Sequence, residues 1–138
     1  MKVTLPLPTK IEIFYLGSSN PAQGETEVAG INIEYSPNHC GTFGLMFLNG
    51  LDSNTSVQDG LFRNRPGLNN FNFRFDGNLG VKNASFGTEF VYQYNDSTGV
   101  AKVEAYAWYV TSDYKFPNWF WAPKITYRYS FFSGDNPN

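Results

Sequence analysis

A strict two-residue alternation near the C-terminus predicts an extended β-strand over residues 124–131. Side chains on a strand point alternately to its two faces. The run therefore predicts one polar and one aromatic face. A soluble sandwich would bury the aromatic face in a core, whereas an outer-membrane barrel would turn it to lipid and the polar face to a lumen. The polar face carries Lys124, Thr126, Arg128 and Ser130, and the aromatic face carries Ile125, Tyr127, Tyr129 and Phe131.

The same pattern recurs in six earlier runs. The cleanest is 70–79, where Phe71, Phe73 and Phe75 alternate with polar residues. The chain contains 13 Phe, 9 Tyr and 3 Trp residues, and aromatic residues are enriched in strands. We therefore predict an all-β fold, an antiparallel up-and-down meander of about seven strands in a single domain spanning 1–138. The six earlier runs are 10–17, 28–36, 42–49, 70–79, 85–95 and 102–113.

The segments between the runs alternate in length. Segments 18–26 and 50–67 are long and rich in turn residues, and we expect loops there. The short turn at 95–99 is predicted at the same end of the sheet. The segments around 37–40, 80–84 and 115–118 are short. Long loops at one end and tight turns at the other are typical of outer-membrane barrels, although a soluble up-and-down barrel has the same layout.

Composition excludes several classes of protein. The formal net charge of −2 gives no basic stripe for nucleic acid. A single cysteine, Cys40, excludes an intrachain disulfide, and with the only histidine, His39, it supplies too few ligands for a metal. We find no catalytic constellation and expect no enzyme activity and no cofactor. Residues 1–10 lack a secretory signal and no run is long enough for a transmembrane helix, so a membrane protein would require further sequence upstream.

Charges of both signs are predicted on the polar faces of the strands. If that face lines a lumen, basic side chains select anions and the acids brace them. If it is solvated, the same residues form cross-strand pairs. Trp119 and Trp121 precede the last strand, where an interfacial aromatic girdle would lie. The charged residues are Lys10, Arg74, Lys102, Lys124 and Arg128, with Glu12, Glu34, Asp76, Glu89 and Glu104.

Four segments, in their order along the chain, resemble strands of the bacterial alginate export family of outer-membrane barrels. Segment 122–135 (APKITYRYSFFSGD) resembles a characteristic strand that ends in Ser-Gly-Asp. Segment 11–16 (IEIFYL) looks like an acidic-aromatic strand of that family, and 86–94 (FGTEFVYQY) like its Glu-aromatic-Gln strand. Segment 102–108 (KVEAYAW) resembles the strand before the Ser-Gly-Asp one.

This resemblance implies a barrel of about eighteen strands in the bacterial outer membrane, of which this chain would be an interior fragment. The implied activity is passive diffusion of an anionic polysaccharide, alginate or a related solute, through a polar lumen. The implied partners are outer-membrane lipid, that solute and the rest of the barrel chain. The candidate pore-lining residues are Arg74, Arg128, Lys124 and Lys102, together with the acids Asp76 and Glu89.

Two alternatives remain open at the level of sequence. The first is a soluble β-sandwich or small barrel that binds a carbohydrate or another ligand. The second is a glycosidase-like enzyme that uses two of the acids Glu34, Asp76, Glu89 and Glu104. That chemistry requires two carboxyl groups within about 5 to 10 Å of each other in one cleft.

Overall fold

The protein forms one antiparallel sheet with strands in sequence order. The computed structural model describes the backbone of residues 2–4, 8–20, 24–37, 40–54, 67–95 and 103–134, and the side chains of 8–17, 27–37, 40–51, 67–95 and 103–134. Every strand pairs only with its neighbours in sequence, and the sheet does not close. The strands are β1 (Lys2–Thr4), β2 (Thr9–Asn20), β3 (Gly24–Tyr35), β4 (Gly41–Asn54), β5 (Leu68–Gly77), β6 (Ala84–Asn95), β7 (Glu104–Lys115) and β8 (Lys124–Phe132).

The predicted all-β antiparallel meander is therefore confirmed. The seven runs identified in the sequence correspond to β2 through β8, and the described residues form no α-helix. Strand β1 was not predicted, because its three residues are too few to establish an alternation. It pairs with Lys10, Ile11 and Glu12 of β2.

The connections after β2 and β4 differ from the prediction. The loop predicted at 18–26 is wrong, since β2 runs to Asn20 and β3 starts at Gly24, with Ser18 paired to Thr26. Backbone pairing across a long hairpin outweighs the weak strand preference of these polar residues. Strand β4 likewise extends to Asn54, into the loop predicted at 50–67; residues 55–66 lie outside the described part of the chain.

The pairing register sorts the side chains onto two faces, because directly opposed residues of an antiparallel pair share a face. We call them the polar face and the aromatic face. Arg74 opposes Glu89 on the polar face, and Phe73 opposes Phe90 on the aromatic face. The aromatic face comprises Ile11, Ile13, Tyr15, Ile31, Ile33, Tyr35, Phe43, Leu45, Phe47, Phe71, Phe73, Phe75, Phe86, Phe90, Tyr92, Tyr94, Tyr106, Trp108, Val110, Tyr114, Ile125, Tyr127, Tyr129 and Phe131.

No second layer covers the aromatic face in the described part of the chain. Phe75, 7% exposed, is the only buried apolar residue described, whereas Phe71 remains 50% and Tyr127 62% exposed. Cross-strand ring contacts, such as Phe43 with Phe75 at 4.8 Å and Trp108 with Tyr129 at 5.2 Å between centroids, pack the rings against each other. A sheet becomes independently stable by burying one face, so this face requires an apolar partner.

The connections alternate between two ends of the sheet. The last residues of β3, β5 and β7 lie at one end of the sheet, which we call the turn end, and those of β2, β4 and β6 lie at the other, which we call the loop end. The 78–83 turn is tied to its neighbour by the amides of Asn78 and Leu79, which both donate to the Cys40 carbonyl. The 116–123 connection is longer than the short turn predicted there.

Candidate functional site

A line of directly opposed residues, one from each of the strands β2 to β8, crosses the polar face near the turn end. We call it the central row. Each member directly opposes the next, so their side chains emerge from the same side of successive strands. The row runs from β2 to β8 through Lys10, Glu34, Gly44, Arg74, Glu89, Tyr109 and Ser130.

Gly44 lets the row connect strands that are not neighbours. The Arg74 guanidinium reaches across β4 and donates to the Glu34 carboxylate on β3, forming an ion pair. A Cβ on the buried Gly44 would lie 2.5 Å from Nε and 2.6 Å from Cγ of Arg74. Any side chain at this position would therefore block the path of Arg74. The glycine is required by this close approach, since only a residue without a side chain leaves room.

A compact network surrounds Glu34. Lys10 Nζ lies 3.0 Å from the Glu12 carboxylate and 3.3 Å from that of Glu34. The buried Asn32 amide donates to both carboxylates, at 3.1 Å to Glu12 and 3.4 Å to Glu34. The carboxylates of Glu12 and Glu34 are thus contacted by two cations, Lys10 and Arg74, and by the amide of Asn32. These charges compensate each other within the sheet.

The far half of the central row is arranged differently. The Asn72 amide donates to Glu89 on the neighbouring strand. On the other side of Glu89, the Arg128 guanidinium lies over the Tyr109 ring, 4.7 Å from its centroid, in cation–π geometry. Arg128 is exposed and makes no ion pair with any residue that the structure describes. The guanidinium is thus positioned by an aromatic ring and not by an ion pair with a described carboxylate.

A second line, one step closer to the turn end, contains Asp76 and Arg128. It runs Thr42, Asp76, Gly87, Thr111 and Arg128. Asp76 leans over Gly87, since a Cβ there would lie 3.1 Å from the Asp76 carboxylate. Gly87 thus leaves open the space between the acid and Thr111.

Lys124 belongs to a third cluster, at the turn end itself. Its ammonium lies 3.1 Å from the Asp113 carboxylate, which also accepts hydrogen bonds from Thr126 at 2.6 Å and Ser85 at 3.0 Å. The side chain of Lys124 is 57% exposed. Exposed ion pairs of this kind contribute little to stability, because solvent screens the two charges.

The structure brings five of the six candidate pore residues onto the polar face. These are Arg74, Asp76, Glu89, Lys124 and Arg128. The sixth, Lys102, lies outside the described residues. The prediction that Glu104 lies on the polar face is wrong. Glu104 opposes Tyr94 on the aromatic face and accepts a hydrogen bond from Tyr92 at 3.2 Å. The reason is the alternation of β7, in which Glu104 shares parity with Tyr106 and Trp108.

Sequence reasoning missed Gly44, Asn32, Asn72 and Tyr109. Each matters through a residue on a neighbouring strand, namely Arg74, Glu12, Glu89 and Arg128 in turn. Which residues meet across two strands depends on register, and alternation within a single strand does not specify the register. A glycine facing an arginine in the next strand is the signal that could have found Gly44.

The acids raised for glycosidase chemistry are mostly separated into different clusters. Glu34 is bound by Lys10, Asn32 and Arg74, Glu89 by Asn72, and Glu104 lies on the opposite face.

The described side chains include no group of three histidine, cysteine or acidic residues placed to hold a metal ion. No helix in the described ranges is long and apolar enough to cross a membrane.

Comparisons with protein-family models, with curated proteins and with solved structures found no match for this chain.

Proposed function

We propose that the sheet is part of the wall of a transmembrane β-barrel channel, with the aromatic face toward lipid and the polar face along a water-filled pore. The observation that carries the proposal is the contrast between the faces. Large aromatic side chains stay exposed along one face of seven strands, while the other face organises its charges into hydrogen-bonded clusters. Lipid is the partner that covers an apolar face of this extent without a second protein layer.

Strand length supports this proposal. A strand needs about 9 to 11 residues to cross the apolar part of a bilayer at a tilt. Strands β2 to β8 range from 9 residues in β8 to 14 in β4. The up-and-down order with local hairpins is also the order in which such barrels are built. Because the sheet is open, further strands would complete the wall.

The solute is proposed to be an anion, and the setting of Arg128 supports this part of the proposal. Arg74 is engaged by Glu34, and Lys124 by Asp113, whereas Arg128 forms no ion pair with the described residues. On this proposal, Arg128 is the strongest of the pore-lining candidates. The solute class suggested by the resemblance to alginate exporters, an anionic polysaccharide or a related anion moving by passive diffusion, fits such a residue. The proposed location is the bacterial outer membrane.

The proposal is tested by placing a charge on each face. Phe73→Arg puts a cation in the middle of the aromatic face, and Asn70→Arg is the matched change on the polar face of the same strand. A lipid-facing arginine near the bilayer midplane costs about 2 to 4 kcal/mol, whereas a lumen-facing one costs little. We expect Phe73→Arg to abolish insertion of the refolded chain into phospholipid vesicles, measured by protease protection and flotation, and Asn70→Arg to leave it intact.

The opposite result would favour the soluble alternative. A chain that stays monomeric in buffer without detergent, unfolds cooperatively there and does not float with vesicles would contradict the proposal. Its aromatic face would then have to be covered by protein.

A further inference from the structure

One line of directly opposed residues on the polar face carries no charge. It lies two positions from the central row toward the loop end, and we call it the uncharged row. Its members come from six successive strands, β2 to β7, and their side chains share the polar face because every second residue of a strand does. The uncharged row consists of Phe14, Gly30, Leu48, Asn70, Gln93 and Ala105.

Two apolar side chains of the uncharged row converge over Gly30. A Cβ on Gly30 would lie 2.6 Å from Cζ of Phe14 and 2.7 Å from Cδ2 of Leu48. These side chains therefore reach over β3 from the strands on its two sides, into space that a side chain at position 30 would need. Leu16 and Val28 oppose each other in the next line toward the loop end and extend the apolar surface. We call Phe14, Leu16, Val28 and Leu48 the apolar platform.

The apolar platform keeps part of its surface accessible. Phe14, Val28 and Leu48 are half-buried, and Leu16 is 61% exposed. Contiguous accessible apolar side chains mark binding sites, whereas single ones are ordinary on any surface. A platform of this kind on the face that carries the ion pairs therefore indicates a ligand with an apolar surface of its own.

Amide side chains continue the uncharged row beyond the platform. Asn70 opposes Leu48, and Gln93 opposes Asn70. Neighbouring strands lie about 4.8 Å apart, so both amides lie within roughly 10 Å of Leu48 across the sheet. Neither amide side chain hydrogen-bonds a described residue. An amide can donate and accept hydrogen bonds, as a hydroxyl group can. The uncharged row thus places groups that can bind hydroxyls beside an apolar surface.

A pyranose ring matches this combination. The ring presents a face of C–H groups, carries hydroxyl groups around its rim and has no charge. Its C–H face would cover the platform, and its hydroxyls would satisfy Asn70 and Gln93. A purely apolar ligand would leave both amides without partners, which costs binding free energy. A small anion would find no cation in this row and no use for the platform.

We propose that the uncharged row binds an uncharged pyranose unit of a saccharide, with the ring on Phe14 and Leu48 and the hydroxyls on Asn70 and Gln93. This inference rests on the proposed function, because a pore along the polar face gives the solute access to the row. It narrows the solute class to a saccharide in which uncharged pyranose units accompany the acidic ones.

The test measures binding of cellohexaose, an uncharged chain of pyranose units, to the chain refolded in micelles of a sugar-free detergent. Phe14→Ala removes the ring of the platform, and Ile13→Ala is the matched change on the aromatic face of β2. Asn70→Ala removes an amide of the row, and Asn49→Ala removes one on the aromatic face, beside Leu48. We expect Phe14→Ala and Asn70→Ala each to weaken binding by about threefold or more, and the controls by less than about 1.5-fold.

Saturation-transfer NMR of the same samples identifies the sugar protons that contact the protein. We expect the C–H protons of one ring face to receive most of the transfer, and Phe14→Ala to reduce it. Far-UV circular dichroism checks the strand content of each variant. Asn70 has no described side-chain partner, so Asn70→Ala keeps the proposal testable even if Phe14→Ala fails to fold.

The outcomes separate the sugar site from the barrel wall. Absence of cellohexaose binding, or equal binding by all four variants, would overturn the sugar site and leave the barrel wall standing. Failure of the unchanged chain to insert into vesicles would overturn the barrel wall. Cellohexaose binding that Phe14→Ala and Asn70→Ala still weaken in that case would assign the sugar site to a soluble sheet.

Discussion

The two arginines of the polar face occupy similar positions on different strands, yet their surroundings differ. Arg74 on β5 crosses Gly44 and ends on Glu34, inside a network that also holds Lys10 and Asn32. Arg128 on β8 lies over the Tyr109 ring and meets no described carboxylate within ion-pair distance. Residues of one type on one face can therefore serve different purposes. Arg74 joins strands, whereas Arg128 stacks on a ring and forms no ion pair among the described residues.

The largest effect is expected from blocking the path of Arg74. A Cβ at position 44 would overlap the stem of Arg74 at Cγ as well as its Nε atom, so the side chain must leave its course and the ion pair with Glu34 breaks. We expect Gly44→Ala to destabilise the folded chain by about 1 to 3 kcal/mol, the usual cost of overpacking. Urea unfolding in detergent micelles or vesicles measures this. Gly17→Ala is the matched control in β2, since the nearest atom to its Cβ would be Tyr15 Cε1 at an ordinary 3.9 Å. Equal losses for the two variants would refute the role given to Gly44.

A smaller effect is expected from removing the guanidinium groups themselves. Arg74→Met leaves Glu34 with Lys10 and Asn32 only, so we expect a loss of about 1 kcal/mol in unfolding free energy. Arg128→Met removes no ion pair and should cost about 0.5 kcal/mol or less. A double-mutant cycle with Glu34→Gln should find coupling for Arg74 and none for Arg128. If Arg128→Met lowers the free energy of unfolding as much as Arg74→Met does, the proposed difference between the two arginines is wrong.

The same comparison reverses when the readout is a bound anion. We expect Arg128→Gln to weaken binding of an oligo-uronate to the chain in detergent by roughly two- to fivefold, as for one exposed charge pair, and Arg74→Gln to weaken it less. The difference should shrink as salt increases, because exposed charges are screened. Calorimetric titration at two ionic strengths measures both effects. If Arg74→Gln weakens binding of the oligo-uronate and Arg128→Gln does not, the role proposed for Arg128 is wrong.

The sequence predicts which face of a strand each side chain occupies better than it predicts which residues lie opposite that side chain. In β5 and β8 the alternation alone assigns Arg74, Asp76 and Arg128 to the polar face, because a period of two leaves no other arrangement. It does not identify what lies opposite Arg74, and so the passage over Gly44 and the distant partner Glu34 emerge only from the register.

The errors have the same origin. Segment 18–26 has the composition of a loop, but pairing between β2 and β3 extends through most of it. Glu104 was counted among the polar-face charges by its residue type, whereas its position in β7 determines its face. Composition describes a residue in isolation, whereas the extent of a strand depends on its partner strand and the face of a residue depends on its place in the alternation.

The smallest effect is expected at Tyr109, the residue that supports Arg128. Tyr109→Phe keeps the ring under the guanidinium and should leave oligo-uronate binding nearly unchanged. Tyr109→Leu removes the π face and releases Arg128 from its position, at a cost of about 0.5 to 1 kcal/mol for an exposed cation–π contact. We therefore expect Tyr109→Leu to lower binding by about twofold, and to add nothing once Arg128→Gln is present. Additive losses in the double variant would mean that Tyr109 acts independently of Arg128, and the far half of the central row would need a different explanation.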